Sequence, residues 1–181
     1  MTALSRRASV ALVCMLALGR LAAAHAAVAL PESLVLQKPN EMIEAPDFTL
    51  KDLSGKFIQL KSLRGKLVFL NFFATWCGPC REEMPGLDVL HRTYGSKGFV
   101  VLAVDMRESG KAVQAFVKEL NVSFPTVLDA DGAVNHDYGV RALPVSFLIG
   151  RDGKLLWRAI GARDWDSAQA RRYFEQVVTA K

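Results

Sequence analysis

The sequence predicts an α/β fold with a central mixed β-sheet flanked by helices. Three observations predict it. Two almost unbroken apolar runs, 67–73 and 99–104, lack the alternation of a half-exposed strand. Such runs suit strands covered on both faces, as in parallel sheets. Between them lies a stretch of helical period, which makes a β-α-β half. Two further apolar runs, 145–149 and 155–158, flank Arg151-Asp152-Gly153-Lys154 and precede a last amphipathic stretch. That adds an antiparallel hairpin and a closing helix to the same sheet.

Taken in order, the chain opens with a basic pair, Arg6-Arg7, then an apolar run from Ala8 to Gly19, then small residues such as Ala24-His25-Ala26. This is the layout of a secretory signal peptide, and the run falls short of the roughly 20 apolar residues that span a bilayer. Residues 1–27 are therefore expected to be a signal peptide, either cleaved or kept as an N-terminal anchor. Ser5-Arg6-Arg7 hints at a twin-arginine signal but lacks the apolar pair that follows in such signals. Cys14 sits inside the run as an apolar filler. Residues 28–44 show no sustained period and read as a mobile lead-in that tethers the domain or crosses its surface. Residues 45–181 form the domain.

Within the domain, Phe48-Thr49-Leu50 and Phe57-Ile58-Gln59-Leu60 flank Asp52-Leu53-Ser54-Gly55 and predict a β-hairpin. The strand 67–73 follows the turn Arg64-Gly65-Lys66. The next helix runs to about Tyr94, with Met84, Leu87, Leu90 and His91 or Tyr94 inward and Pro85 as a kink. Ser109 to Leu120 is an amphipathic helix that buries Val113, Phe116, Val117 and Leu120. Thr126-Val127-Leu128 is a short strand. Asp129-Ala130-Asp131-Gly132 is a turn, because no further acidic ligands follow at calcium-loop spacing. Ala133 to Tyr138 is a single helical turn. Asp166 to about Thr179 is the last helix, burying Phe174, Val177 and Val178.

Charge and cysteine usage narrow the function. The whole chain carries +5, but residues 1–27 hold three arginines and no acids, which leaves +2 for the rest. The basic balance thus belongs to the leader and gives no case for nucleic acid. Of three cysteines, only Cys77 and Cys80 lie beyond the leader. A loop that short removes little chain entropy on closure, so the pair is not a structural staple. A closed zinc site needs about four ligands, and His91 and His136 have no metal-like spacing to the cysteines, so no metal is assigned.

The chemistry concentrates in Trp76-Cys77-Gly78-Pro79-Cys80, where the strand 67–73 hands over to a helix. The first N–H groups of a helix are unpaired and the helix dipole is positive there, so a thiolate is favoured over a thiol. A free cysteine pKa of about 8.5 falls in such a place, and the thiolate is the nucleophile. Cys77 is expected to attack disulfides and Cys80 to resolve the mixed disulfide. Gly78 and Pro79 set the turn and the redox poise.

Two blocks carry a resemblance. One is Asn71-Phe72-Phe73-Ala74-Thr75-Trp76-Cys77-Gly78-Pro79-Cys80-Arg81-Glu82-Glu83-Met84-Pro85. The other is Asp129 to Gly132 with Tyr138-Gly139-Val140-Arg141-Ala142-Leu143-Pro144-Val145-Ser146-Phe147-Leu148-Ile149. Over roughly residues 45–180 the chain resembles thioredoxin-fold proteins, and more narrowly the exported TlpA/ResA-like thiol–disulfide oxidoreductases, including those of cytochrome c biogenesis. The resemblance implies a thioredoxin fold with the hairpin as an N-terminal extension. It implies that Pro144 is a cis-proline facing the cysteines and limiting metal capture, and that the backbone at Leu143 pairs with substrate. A trans proline opening a strand is the plainer alternative. Glu83 matches a glutamate of this family. Cys77, Cys80 and Glu83 fall near one side of a helix. There Glu83 exchanges protons with Cys80, or raises the thiol pKa values by like-charge repulsion, or is simply a favourable acid in a first turn. Asn71 departs from cytosolic thioredoxins, which carry a buried aspartate, so Glu83 is the candidate for proton handling. Trp76 is expected as a partly exposed flank that shields the disulfide and contacts partners. His91 and His136 are expected at the surface or rim without a role.

The function expected from all this is that of an exported, periplasmic thiol–disulfide oxidoreductase with no cofactor beyond the Cys77–Cys80 disulfide. The Gly-Pro dipeptide, as in reducing thioredoxins, points to a reductant. The resemblance implies a membrane electron donor of DsbD/CcdA type and clients with disulfides or CxxC thiols, such as apocytochrome c or copper-site proteins. The protein is expected to be a monomer. Two alternatives stand beside this. A DsbA-like oxidant would normally carry a large helical insertion that this chain lacks. A copper-binding chaperone would use the two thiolates as soft ligands, although Sco-like proteins have a wider cysteine spacing and a distal histidine.

Overall fold

The computed structural model describes residues 28–180; the expected leader 1–27 lies outside the described residues. The strands are β1 (Thr49–Asp52), β2 (Phe57–Gln59), β3 (Leu67–Phe73), β4 (Phe99–Met106), β5 (Thr126–Asp129), β6 (Val145–Ile149) and β7 (Leu155–Ile160). The helices are α1 (Gly78–Tyr94), α2 (Gly110–Glu119), α3 (Ala133–Asp137) and α4 (Ala168–Thr179). All seven strands form one mixed sheet in the order β2-β1-β5-β4-β3-β6-β7. β3, β4 and β5 run parallel, and the outer pairs are antiparallel. This is the mixed sheet that the patterning predicts. The N-terminal hairpin is not a free extension, because β1 also pairs with β5 and so enlarges the sheet at that edge.

Every residue of β3 is buried, because both faces of the strand are covered. Leu67, Phe69 and Phe73 point into a core with Met84, Leu87 and Leu90 of α1, Val113 and Phe116 of α2, and Phe174 of α4. Val68, Leu70 and Phe72 point the other way, towards Val134, Tyr138, Phe147 and Phe48. Position 71 belongs to the helix-covered face, so Asn71 is a polar side chain set between Phe69 and Phe73. A buried amide there is costly unless it finds partners.

The helices begin where the sequence offers caps. Cys77 caps α1, and Pro79 occupies its first turn, where no backbone N–H is needed. The helix continues past the exposed Pro85 to Tyr94. Its buried face carries Met84, Leu87, Leu90 and Tyr94. Ser109 caps α2 by accepting from Ala112 N–H at 3.3 Å, and Ser167 caps α4 by accepting from Ala170 N–H at 3.2 Å. His91, read both as a candidate for the inner side of α1 and as a rim residue, is half-buried: its Nδ1 accepts the Val101 N–H at 3.2 Å, which packs α1 on β4.

Residues 28–44 lie across β7. Gln37 and Arg158 exchange backbone hydrogen bonds of 2.8 and 2.9 Å, and Leu155 N–H donates to Ile43 at 3.0 Å. The segment thereby covers the outer edge of the sheet, which would otherwise present unpaired backbone groups. A short 3-10 turn at Glu32–Leu34 drops Leu34 into the core at 3% exposure. No helix among the described residues is long and apolar enough to cross a membrane.

The sheet–α4 side of the core is aromatic. Trp157 and Trp165 stack with centroids 6.0 Å apart and planes 12° apart, and Phe69 meets both edge-on at 5.7 and 4.9 Å. Leu34 reaches this cluster from the lead-in. Leu34→Ala should therefore cost about 2–5 kcal/mol in denaturant unfolding, the range for truncating a buried leucine. A loss below about 0.5 kcal/mol, the usual surface effect, would show that the lead-in does not belong to the folded unit.

Candidate active site

Cys77 and Cys80 form a disulfide at the start of α1, with their Cα atoms 5.3 Å apart. β3 delivers the chain to this point, and Ala74 O accepts the Cys77 N–H at 3.2 Å to close the turn. The Cys77 Sγ accepts the Cys80 N–H at 3.2 Å. Sulfur thus sits at the cap position that an oxygen usually fills, where the orphan N–H groups favour negative charge. Cys77 retains 6% exposure and Cys80 none, so only the first sulfur faces the surface. Gly78 and Pro79 between them are exposed.

A cleft of about 470 Å³ opens beside the disulfide, lined by Trp76 to Pro79, Met106 and the loop from Val140 to Leu143. Trp76 is 68% exposed on its rim. The Leu143–Pro144 peptide is cis, and Pro144 is buried beneath Leu143 at the entry to β6. The fold therefore brings Trp76, Cys77, Gly78, Pro79 and Leu143 to one cleft, with Pro144 as its support. A hollow of about 450 Å³ between the lead-in, β7 and α4 lies away from the sulfur atoms. Chemistry selects the cleft at the disulfide.

Glu83 lies behind the disulfide, one turn along α1, at 3% exposure. Its carboxyl accepts three N–H groups from two other parts of the chain. Asn71 Nδ2 donates to Oε1 at 2.7 Å, while Arg163 N–H at 3.2 Å and Trp165 Nε1 at 2.9 Å donate to Oε2. Burial outweighs these donors and pushes the carboxyl up to about 7 from its ordinary 4.5. An acid at that value exchanges protons at neutral pH. Glu82 next to it is exposed.

A second acid holds the front of the site. Glu108 accepts the Thr75 N–H at 2.6 Å and the Thr75 hydroxyl at 2.5 Å, fixing the residue that precedes Trp76. The Glu108 N–H donates to Asp105 Oδ2 at 3.0 Å. Asp105 is fully buried at the end of β4, and burial, with Glu108 and Asp129 as acidic neighbours, pushes it up to about 7.

Sequence reasoning did not reveal Ser146, Arg163 and Trp165 around Glu83, nor the Thr75–Glu108–Asp105 chain. The one available signal was Trp165 itself, a large aromatic in the polar stretch Ala162-Arg163-Asp164-Trp165-Asp166. Its indole N–H needs a partner when buried. His136 is exposed beside Asp137 and lies outside the site.

Comparison with known proteins agrees with this geometry. The family model described as AhpC/TSA family matches residues 43–158. The chain is 42% identical over 135 residues to a thiol-disulfide oxidoreductase ResA of Bacillus thuringiensis subsp. konkukian, covering 75% of this chain and 77% of that protein. A solved Chlorobium tepidum protein, provisionally named thiol:disulfide interchange protein DsbE, is 32% identical with a TM-score of 0.71, covering 77% of this chain and 98% of that one. A secreted Mycobacterium tuberculosis disulfide oxidoreductase is 27% identical with a TM-score of 0.60, covering 72% and 93% of the two chains.

The raised pKa of Glu83 makes stability depend on pH. The folded state favours the protonated acid, so this group's contribution is complete below pH 4.5 and is lost as pH rises to about 7. A rise of that size corresponds to about 3 kcal/mol. Glu83→Gln does not titrate. In denaturant unfolding of the oxidised protein, wild type should therefore lose about 3 kcal/mol against the variant between pH 4 and pH 8. Parallel stability–pH curves would show that the carboxyl is not held in the apolar setting described.

Proposed function

The chain belongs to the AhpC/TSA family of thioredoxin-fold proteins and is a thiol–disulfide oxidoreductase similar to ResA, and from that premise we propose that it reduces client disulfides outside the cytoplasm. The observation that carries the reading is the arrangement of the two sulfur atoms and Glu83 along α1. One sulfur is open to the cleft, one is sealed, and a buried carboxyl lies a turn beyond the sealed one.

In the reduced protein the Cys77 thiolate attacks one client sulfur. The client's other sulfur leaves as a thiolate and takes a proton from solvent. Client and enzyme are then joined through Cys77. Cys80 gives its proton to the Glu83 carboxylate, and the resulting thiolate attacks the Cys77 sulfur. The client leaves with both cysteines reduced, and two electrons have passed from the enzyme, which now holds the Cys77–Cys80 disulfide. Glu83 returns its proton when the disulfide is reduced again. The cleft supports the recognition step: Trp76 offers an exposed apolar face, and no backbone group among the described residues bonds the Leu143 N–H or carbonyl. Those groups are placed to pair with an extended client segment, with Pro144 holding the loop in position.

The reducing direction is supported by Gly78-Pro79 between the cysteines. Export is supported by the leader-like residues 1–27. Outside the cytoplasm a reductant needs electrons from a membrane dithiol donor, for which the DsbD/CcdA type is proposed. Clients are proposed to be exported proteins with paired cysteines, such as apocytochrome c or copper-site proteins.

One experiment with two readouts tests this. In Cys80→Ser the second step is blocked, so mixed disulfides through Cys77 should accumulate and identify the clients, while Cys77→Ser should trap none. The wild-type reduction potential should lie nearer that of thioredoxin, about −270 mV, than that of DsbA, about −120 mV. A DsbA-like potential would make the protein an oxidant. Absence of trapped clients together with co-purifying copper would favour the metal-chaperone reading.

A further inference from the structure

Asn71 Nδ2 donates to two groups, Glu83 Oε1 at 2.7 Å and Ser146 Oγ at 3.1 Å. Ser146 is its register partner across β3 and β6. Both residues are buried, and the Asn71 Oδ1 has no hydrogen-bond partner among the described residues. An orphaned buried amide oxygen beside an active-site carboxyl calls for an explanation.

The surroundings of Glu83 supply one. All three of its partners are N–H donors: Asn71 Nδ2, the Arg163 backbone and the Trp165 indole. That set satisfies a carboxylate. A protonated carboxyl has an O–H to donate, and a backbone N–H or an indole N–H offers no acceptor. Both protonation states are populated near neutral pH, because burial lifts the acid to about 7. The protonated form must therefore find an acceptor inside the same packed site.

Of these three partners, only Asn71 is able to reverse its role. A half-turn of its side-chain amide exchanges nitrogen and oxygen within almost the same volume. Oδ1 then accepts from the Glu83 O–H, and the amide nitrogen moves to the place where the oxygen now lies unpaired. The Ser146 hydroxyl, whose hydrogen rotates freely, changes from acceptor to donor and follows. Each state leaves one Asn71 polar atom without a partner, the oxygen in the first and the nitrogen in the second. The charged group that acts on Glu83 is Arg163, from the loop before α4; on the proposed function the α1 thiols join it when reduced. β3 and β6 present only the neutral Asn71 and Ser146.

We propose that the Asn71 side-chain amide turns over each time Glu83 gains or loses its proton, with Ser146 as the hydroxyl that follows it. This pair is then the hydrogen-bond switch that lets a sealed carboxyl serve as a proton acceptor. An aspartate at position 71 would be a second acid in the site. An apolar residue would satisfy neither state. The switch rests on the reading of Glu83 as the proton partner of Cys80, and Asn71 acts as a positioning residue through Glu83.

The test is nuclear magnetic resonance of the whole protein with ¹⁵N-labelled asparagine, supported by infrared difference spectra on a pH step. At pH 8.5 the Asn71 Hδ2 protons should show proximity to Glu83 Hγ and Ser146 Hβ. At pH 5.5 those contacts should be lost, with the same midpoint as the Glu83 acid band, which is assigned by its absence in Glu83→Gln. The same contact pattern at both pH values would overturn the switch. In Asn71→Leu the Glu83 acid carbonyl band should move to higher frequency, because its O–H has lost its acceptor; an unmoved band would also overturn it. If Asn71→Leu does not fold, the wild-type contacts alone decide. A fixed amide with a Glu83-dependent pH–rate profile sinks the switch and leaves the Glu83 reading standing. A turning amide with a profile independent of Glu83 sinks the role of Glu83 in proton transfer.

Discussion

The burial of one carboxyl among three N–H donors is the interaction on which the rest of the site depends. An isolated buried carboxylate costs several kcal/mol, and hydrogen bonds to charge recover only part of that. Glu83, carried on α1, is tolerated because β3 and the loop between β7 and α4 both present N–H donors to it. The same contacts join these elements. Trp165 reaches the carboxyl with its N–H and stacks its ring on Trp157. Arg163 gives its backbone N–H to Glu83, while its guanidinium donates to the carbonyls of Leu34, Ile160, Gly161 and Ala162. The lead-in, the last strand and the cysteine-bearing helix therefore meet around a single acid.

This arrangement divides labour between two acids. Glu83 lies behind the sealed sulfur and titrates near neutrality. Glu108 lies at the front and holds Thr75 by both its N–H and its hydroxyl, which fixes the approach to Trp76 and Cys77. The front acid leans on Asp105, and the turn between them places Arg107 at φ 63°, a left-handed conformation that a non-glycine residue adopts at a cost. Rigid placement of Cys77 and Trp76 is what an exchange enzyme needs if its open sulfur is to meet client sulfur in line.

Much of this was legible in the sequence. Apolar runs gave β3 and β4, turn residues gave both hairpins, and the cysteine spacing at a strand-to-helix junction located the cleft. Glu83 was legible through the family resemblance, and its spacing of three from Cys80 on one helix is compatible with that role. Its partners were not, because contacts such as Glu83 to Trp165 join residues 82 positions apart and no local pattern encodes them. Ser146 read as one more residue of a buried strand. The lead-in lacked a period because it contributes single residues, Leu34 above all, to a core built by others. His91 read both as a candidate for the inner side of α1 and as a rim residue without a role; its partner is a backbone N–H on β4, which leaves no trace in side-chain patterning.

The role proposed for Glu83 is reached most directly by the pH–rate profile of the second step. Mixed disulfide formed between the reduced protein and a peptide disulfide can be followed as Cys80 displaces the peptide, in wild type and in Glu83→Gln, from pH 5 to pH 9. With Glu83 as the acceptor of the Cys80 proton, the wild-type rate rises through an inflection near the carboxyl's value of about 7, and the variant lacks that inflection and resolves more slowly throughout. Superimposable profiles would contradict it and reduce Glu83 to a structural acid.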